Sequence, residues 1–191
     1  DDTKPGDVEP STDVTVYDDV LYFDDEETSV GRKLNLVLNL KNAEENVRAF
    51  QCDVCLPRGI EWEMTTDQYG NEVLKEPAFN TERTTLSYHN ISCSKIDRRT
   101  YRIIVSANNK NSIHGLAGAI LTLPLSVSDD MEGGDYNVFI KDVTITTIDV
   151  QQTVIPVVTS KISVADFNVG DVNKDRVVNV TDIVAIVSYM I

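Results

Sequence analysis

Leu34, Leu36, Leu38 and Leu40 alternate with Asn35, Val37, Asn39 and Lys41. That is the period of two which buries one face of a β-strand and leaves the other to water. Phe50, Cys52, Val54 and Leu56 repeat the pattern, as do Leu121, Leu123 and Leu125. Alternating or β-branched runs predict strands near residues 14–23, 33–41, 47–56, 60–64, 84–92, 100–107, 118–127, 136–147 and 157–165. Turn chemistry separates them: Val30-Gly31-Arg32, Pro57-Arg58-Gly59, Tyr69-Gly70-Asn71-Glu72 and Met131-Glu132-Gly133-Gly134-Asp135. No helical period stands out before residue 180. Many short strands without intervening helices predict two packed antiparallel sheets, a mainly β sandwich of about nine strands. No helix longer than two turns is expected before residue 167.

The end of the chain reads differently. In Asp171-Val172-Asn173-Lys174-Asp175-Arg176-Val177-Val178-Asn179-Val180-Thr181-Asp182, oxygen side chains fall at loop positions one, three, five, nine and twelve. That spacing lets a short loop wrap a hard cation such as Ca²⁺. Asp171, Asn173 and Asp175 would offer side-chain oxygens, Val177 its carbonyl, and Asn179 a direct or water-mediated contact. Asp182 would close the site where the EF-hand has Glu. The competing reading is an acidic turn that binds nothing. Acidic sequence often yields D-x-N-x-D, but seldom with the ninth and twelfth positions also filled and an apolar run, 183–191, behind. Arg176 stands where the sharp turn favours Gly, and a left-handed non-Gly residue costs roughly 1 kcal/mol. The run after the loop is apolar nearly all round, so it is expected to be a helix docked on the sandwich or on another chain. Phe167 is the expected pivot of that seam.

Gly170-Asp171-Val172-Asn173-Lys174-Asp175 with Val178-Asn179-Val180-Thr181-Asp182 resembles one calcium repeat of a dockerin, the anchoring module of secreted polysaccharide-degrading systems. A dockerin has two such repeats and this chain carries one. Loop positions ten and eleven, which help a dockerin read its partner, are Val180 and Thr181. The body resembles a cohesin. The alternating strand 34–40 precedes Ala49-Phe50-Gln51-Cys52-Asp53-Val54-Cys55-Leu56-Pro57-Arg58-Gly59-Ile60. Leu116-Ala117-Gly118-Ala119-Ile120-Leu121-Thr122-Leu123-Pro124-Leu125 and Gly134-Asp135-Tyr136-Asn137-Val138-Phe139-Ile140 follow, as they do in that family. The resemblance implies a jelly-roll or immunoglobulin-like sandwich over residues 14–166, a polar tether at 1–13 and a calcium loop with its helix at 167–191. It also implies an extracellular adhesion or assembly role linked to polysaccharide handling. The partner would be a cohesin- or dockerin-like protein, in cis or in trans.

Composition narrows the classes of function. A net charge of −14 argues against nucleic acid and anionic membrane surfaces. No run is long and apolar enough to span a bilayer. The polar opening, residues 1–12, reads as a tether left after removal of an export signal, the layout of a surface lipoprotein. Three cysteines make no disulfide framework. Cys52-Asp53-Val54-Cys55 sits in a strand, which puts its two sulfurs on opposite faces, so a buried hydrophobe is preferred to a redox or zinc pair. A bridge from either to Cys93 stays open.

Catalysis finds no support. Only His89 and His114 are available, and no H-E-x-x-H, G-x-S-x-G or phosphate-cradling loop is present. Acidic pairs such as Asp24-Asp25-Glu26-Glu27 and Asp129-Asp130 could imitate a glycosidase dyad but read better as solvated loop charge. The expectation is a non-enzyme. A carbohydrate-binding module of a surface glycan-utilisation system is the alternative. It would need an aromatic platform from Trp62, Tyr69, Tyr88 or Tyr101, in a chain with only 7% aromatics.

Overall fold

The computed structural model describes residues 18–84, 88–108, 111–166, 170–173 and 177–190. The strands are β1 (Val20–Phe23), β2 (Glu26–Ser29), β3 (Lys33–Lys41), β4 (Val47–Cys55), β5 (Ile60–Trp62), β6 (Met64–Thr66) and β7 (Glu72–Leu74). They continue with β8 (Ala78–Phe79), β9 (His89–Lys95), β10 (Thr100–Ala107), β11 (Ala119–Val127), β12 (Gly134–Thr147), β13 (Gln152–Ile155) and β14 (Val158–Ala165). A helix, α1 (Val180–Tyr189), follows. The expected tether, 1–13, and the start of the first expected strand, 14–17, lie outside the described residues.

One sheet runs β1-β3-β11-β5, with β8 also on β11; the larger runs β2-β14-β12-β4-β10-β9, with β13 also on β12. The leucine alternation explains the first. Leu34, Leu36 and Leu38 stand directly opposite Leu125, Leu123 and Leu121, and all six are buried. In the second sheet Phe50, Cys52 and Val54 oppose Val105, Ile103 and Tyr101. The two inner faces close on one another as a sandwich, with Trp62 of β5 and Tyr101 of β10 meeting across it at a centroid separation of 5.2 Å. β12 changes parity within itself. Val138 and Ile140 face inward before an irregularity between Lys141 and Thr144, Val143 and Ile145 after it. Asp142, at φ 51°, sits in that irregularity; one extra residue is what a bulge needs to reset the alternation.

The sequence reading needs four corrections. The sheets are not wholly antiparallel, because β14 and β2 pair in parallel. No turn separates β1 from β2, so the chain keeps its heading as it crosses from the smaller sheet to the larger. The crossing is locked from β14: Ser160 Oγ donates to Phe23 O at 2.7 Å, and the Lys161 amide to Asp25 Oδ1 at 2.8 Å. Asp24 meanwhile accepts from Asn39 Nδ2 at 3.1 Å. Asp24 and Asp25 therefore form the crossover, and Glu26 and Glu27 open β2.

The strand count is also higher than expected. The segment between β5 and β9 forms the hairpin β6–β7 and the short β8, and β13 adds to the edge of β12.

The strand expected at 84–92 is displaced to β9. Residues 80–84 instead turn around a buried arginine. Arg83 spends all five guanidinium N–H groups on neutral acceptors. Nε donates to His114 O, Nη1 to the carbonyls of Leu40 and Gly118, and Nη2 to Asn42 Oδ1 and Gly115 O. One side chain thus ties the end of β3 to the loop before β11.

The fourth correction concerns α1. The helix forms, but of the two expected docking partners the sandwich does not bury its apolar residues: Ile183, Val184, Ile186 and Val187 are between 46% and 60% exposed, which leaves a second chain. Asp182 is its one buried residue. What fixes the helix is local capping, described below. Phe167, the expected pivot, lies outside the described residues.

Candidate interaction face and cation-binding loop

Pairing register builds a grid on the outer face of the larger sheet. Across β10, β4 and β12 the outward rows are Thr100–Cys55–Phe139, Arg102–Asp53–Lys141 and Ile104–Gln51–Thr144. β9 extends them with Ser94 and Ser92; β14 and β13 extend them with Thr159 and Val154. Ile104 and Phe139 are 41% and 38% exposed, and Val154 is 70% exposed. Between the first two lies a charge that the face neutralises itself. Arg102 grips Asp53 with both prongs, Nε to Oδ1 at 2.7 Å and Nη2 to Oδ2 at 2.8 Å, and the Asp53 side chain is 4% exposed. That hydrogen-bonded carboxylate raises the Arg102 pKa, as a fork-to-fork pair should.

The face is therefore apolar at its prominent points and hydroxyl-rich between them. Such a surface can exclude water over a partner while the Asp53–Arg102 pair stays neutralised, and Lys141 is left as its cationic point. The outer face of the smaller sheet differs. Its strands carry no exposed large apolar side chain among the described residues, and Glu63 beside it binds Lys33 and Lys75 at 2.9 and 2.6 Å.

The loop before α1 closes on Asp182. Its Oδ1 accepts the amides of Val172 at 2.8 Å and Asn173 at 3.3 Å; Oδ2 accepts the Asn179 amide at 2.7 Å. These backbone N–H groups hold its pKa below the ordinary carboxylate value, the Asn179 amide most of all. Asn179 returns the bond as N-cap, its side chain accepting from the Thr181 amide, which completes a capping box. Gly170 enters the loop at φ 98°, where a Cβ would press on Val178 Cγ1 at 3.2 Å, so only glycine is unstrained there.

Five of the six residues expected around Ca²⁺ are described. Asp171 and Asp182 are buried; Asn173, Val177 and Asn179 are exposed. Asn173 Nδ2 donates to Thr181 Oγ1 at 3.1 Å, and Asn179 Nδ2 to Val177 O at 3.3 Å. Asp175 and Arg176 lie outside the described residues. Among those described, no three acidic, histidine or cysteine side chains converge. The oxygen donors fit a hard cation. Asp171 and Asp182 supply desolvated carboxylates, and Val177 O already turns inward to Asn179. Oδ2 of Asp182 accepts one N–H and keeps acceptor capacity.

Trp62 is buried and its indole donates to Lys75 O at 2.8 Å. Tyr101 is buried too, whereas Tyr69 and Tyr88 are exposed on separate elements. The four aromatics therefore make no common platform. His89 is buried against Phe79, ring centroids 6.1 Å apart, and His114 Nδ1 lies 3.0 Å from Glu45 Oε1 at the surface.

All three cysteines are free. Cys52 and Cys93 flank Ile103 from either side, roughly 9–10 Å apart by strand spacing, beyond disulfide reach. Burial raises both thiols, Cys93 to about 12. At pH 8 the Cys93 thiolate is then roughly one part in ten thousand. Iodoacetamide should accordingly leave Cys52 and Cys93 unmodified in the native protein and label both in denaturant. Rapid native labelling of either, read by peptide mass, would show that the core is not closed.

Sequence reasoning missed the outer face because no local motif marks it. The signal present was Ile104 and Phe139 at outward positions of alternating strands.

The chain matches no protein-family model and no curated protein. Solved structures do match it. A cohesin–dockerin complex containing the cohesin CaCohA2 aligns with TM-score 0.61 at 11% identity, over 76% of this chain and 98% of that one. A type I cohesin–dockerin complex from Clostridium thermocellum aligns with TM-score 0.58 at 11% identity, over 78% and 100%. A non-cellulosomal cohesin from the archaeon Archaeoglobus fulgidus gives 0.55 at 11%, over 78% and 92%. The sandwich has the cohesin fold.

Proposed function

We propose that the protein is a non-catalytic assembly module acting outside the cell. It docks a small calcium-loaded module of the dockerin kind on the outer face of its larger sheet. The observation that carries this reading is the pairing of exposed Ile104 and Phe139 with a self-neutralised Asp53–Arg102 pair on one face. Two of the similar cohesins are in complex with dockerins, which supports the class of partner. A role in polysaccharide handling belongs to the same reading.

The loop 171–182 binds one Ca²⁺ in this proposal, through Asp171, Asn173, Asp175, the Val177 carbonyl, Asn179 and Asp182. Three carboxylates around one divalent cation leave one negative charge. The loop and α1 would then serve as half of a dockerin-like ligand, for another chain's sandwich or for this one. The exposed apolar side of α1 supports a partner for it.

Charge insertion tests the face. Ile104→Glu and Phe139→Glu lie on exposed positions and should leave the melting temperature nearly unchanged. Each should weaken binding to calcium-loaded dockerin modules from the same secretome by a hundredfold or more in calorimetry, because a buried unpaired carboxylate is costly. Unchanged affinity in both variants would remove this face from consideration.

A further inference from the structure

We propose that the cleft between the β4–β5 and β9–β10 turns binds an acidic oligosaccharide, carboxylated or sulfated. This site is separate from the docking face and does not depend on it.

The chain has 31 acidic residues against 17 basic ones, yet four of the basic side chains line this one cleft. Arg58, Lys95, Arg98 and Arg99 surround a volume of about 650 Å³, with Glu61 the single acidic residue of the lining. All four are exposed. The ion pairs of the described residues involve Lys33, Lys75, Arg102, His114 and Lys161 instead. Four cations without a carboxylate partner repel one another, and an anion placed among them relieves that repulsion.

The cations are carried on ordered backbone. Asp97 Oδ1 accepts the amides of Arg99 at 2.8 Å and Thr100 at 2.9 Å, which fixes the β9–β10 turn. Leu56 N donates to Arg99 O at 2.8 Å, joining that turn to the end of β4. Lys95 Nζ lies 5.5 Å from the Tyr101 ring centroid, and that ring is buried against Trp62. A fixed turn backbone limits how much more the chain must order when a ligand binds.

The chemistry selects the ligand. Guanidinium forks match carboxylate and sulfate oxygens. Several cations around one cleft call for several negative charges, hence an oligomer rather than one ion. No exposed large apolar side chain is among the lining residues, so the cleft lacks the anchor that a protein partner would fill. Nor does an exposed aromatic stand ready to stack a nucleobase. The volume suits a few sugar rings.

Calorimetric titration of the whole chain at low salt would use an oligogalacturonate, a heparin-derived oligosaccharide, a neutral cello-oligosaccharide and poly-glutamate. Binding of at least one acidic saccharide is expected, with none of the neutral one. Arg98→Gln/Arg99→Gln should weaken that binding tenfold or more without altering the melting curve, since neither side chain has a partner to lose. The carboxylate and sulfate arms separate the two sources of charge. Silence from both acidic saccharides, or affinity unmoved in the double variant, would overturn the proposal. Poly-glutamate binding as tightly as either saccharide would also overturn it, assigning the cleft to acidic proteins.

Discussion

Arg83→Met should destabilise the sandwich by about 2–4 kcal/mol, a large share of a domain's stability. The guanidinium satisfies four carbonyls and one amide oxygen drawn from the end of β3 and from residues 114–118. Methionine fills the volume but donates nothing: Asn42 Oδ1 and His114 O lose the arginine, while Leu40 O and Gly118 O keep each other's amides and Gly115 O keeps Asn42 Nδ2. Lysine brings three donors without the planar fork and should recover only part of the loss. The denaturant midpoint measures both. A change below about 1 kcal/mol in the methionine variant would mean that water replaces the arginine, and that the 80–84 turn is not a fixed part of the fold.

Asp182→Ala should abolish the calcium response and unwind α1 together. The carboxylate accepts three loop amides and caps the helix. A ten-residue helix rich in Ile and Val is marginal on its own. Calcium titration by calorimetry should give one site in the native chain and no heat in the variant. Circular dichroism should lose its small helical component, while the sandwich melts as before. Asp171→Ala should lose the metal but keep the cap, which separates ligation from capping. Calcium binding unchanged in both variants would place any site elsewhere.

Legibility followed range along the chain. The alternating leucines of β3 and β11 announced one buried face each, and they proved to be cross-strand partners because that face is shared. The loop 171–182 can be proposed from sequence alone because every proposed ligand lies within twelve residues. The crossover at Asp24–Asp25 carries no turn signature, since its fixing bonds come from Ser160 and Lys161, far along the chain. The displaced β9 has the same cause. Thr-Glu-Arg-Thr reads as polar and extended until Arg83 finds acceptors on other elements. The outer face of the larger sheet depends on three-strand register, which the bulge at Asp142 resets and which one sequence does not state. For α1, an apolar circumference calls for burial but does not say against what.

The central claim, that a partner docks on the outer face of the larger sheet, is tested most directly by mapping amide chemical shifts while a calcium-loaded dockerin module is added. Changes should concentrate on Gln51, Asp53, Arg102, Ile104, Phe139 and Thr144, which the register brings together. They should vanish when chelator strips the metal from the partner. Changes confined to β1, β3, β5 and β11, with the Ile104 and Phe139 rows silent, would contradict the account.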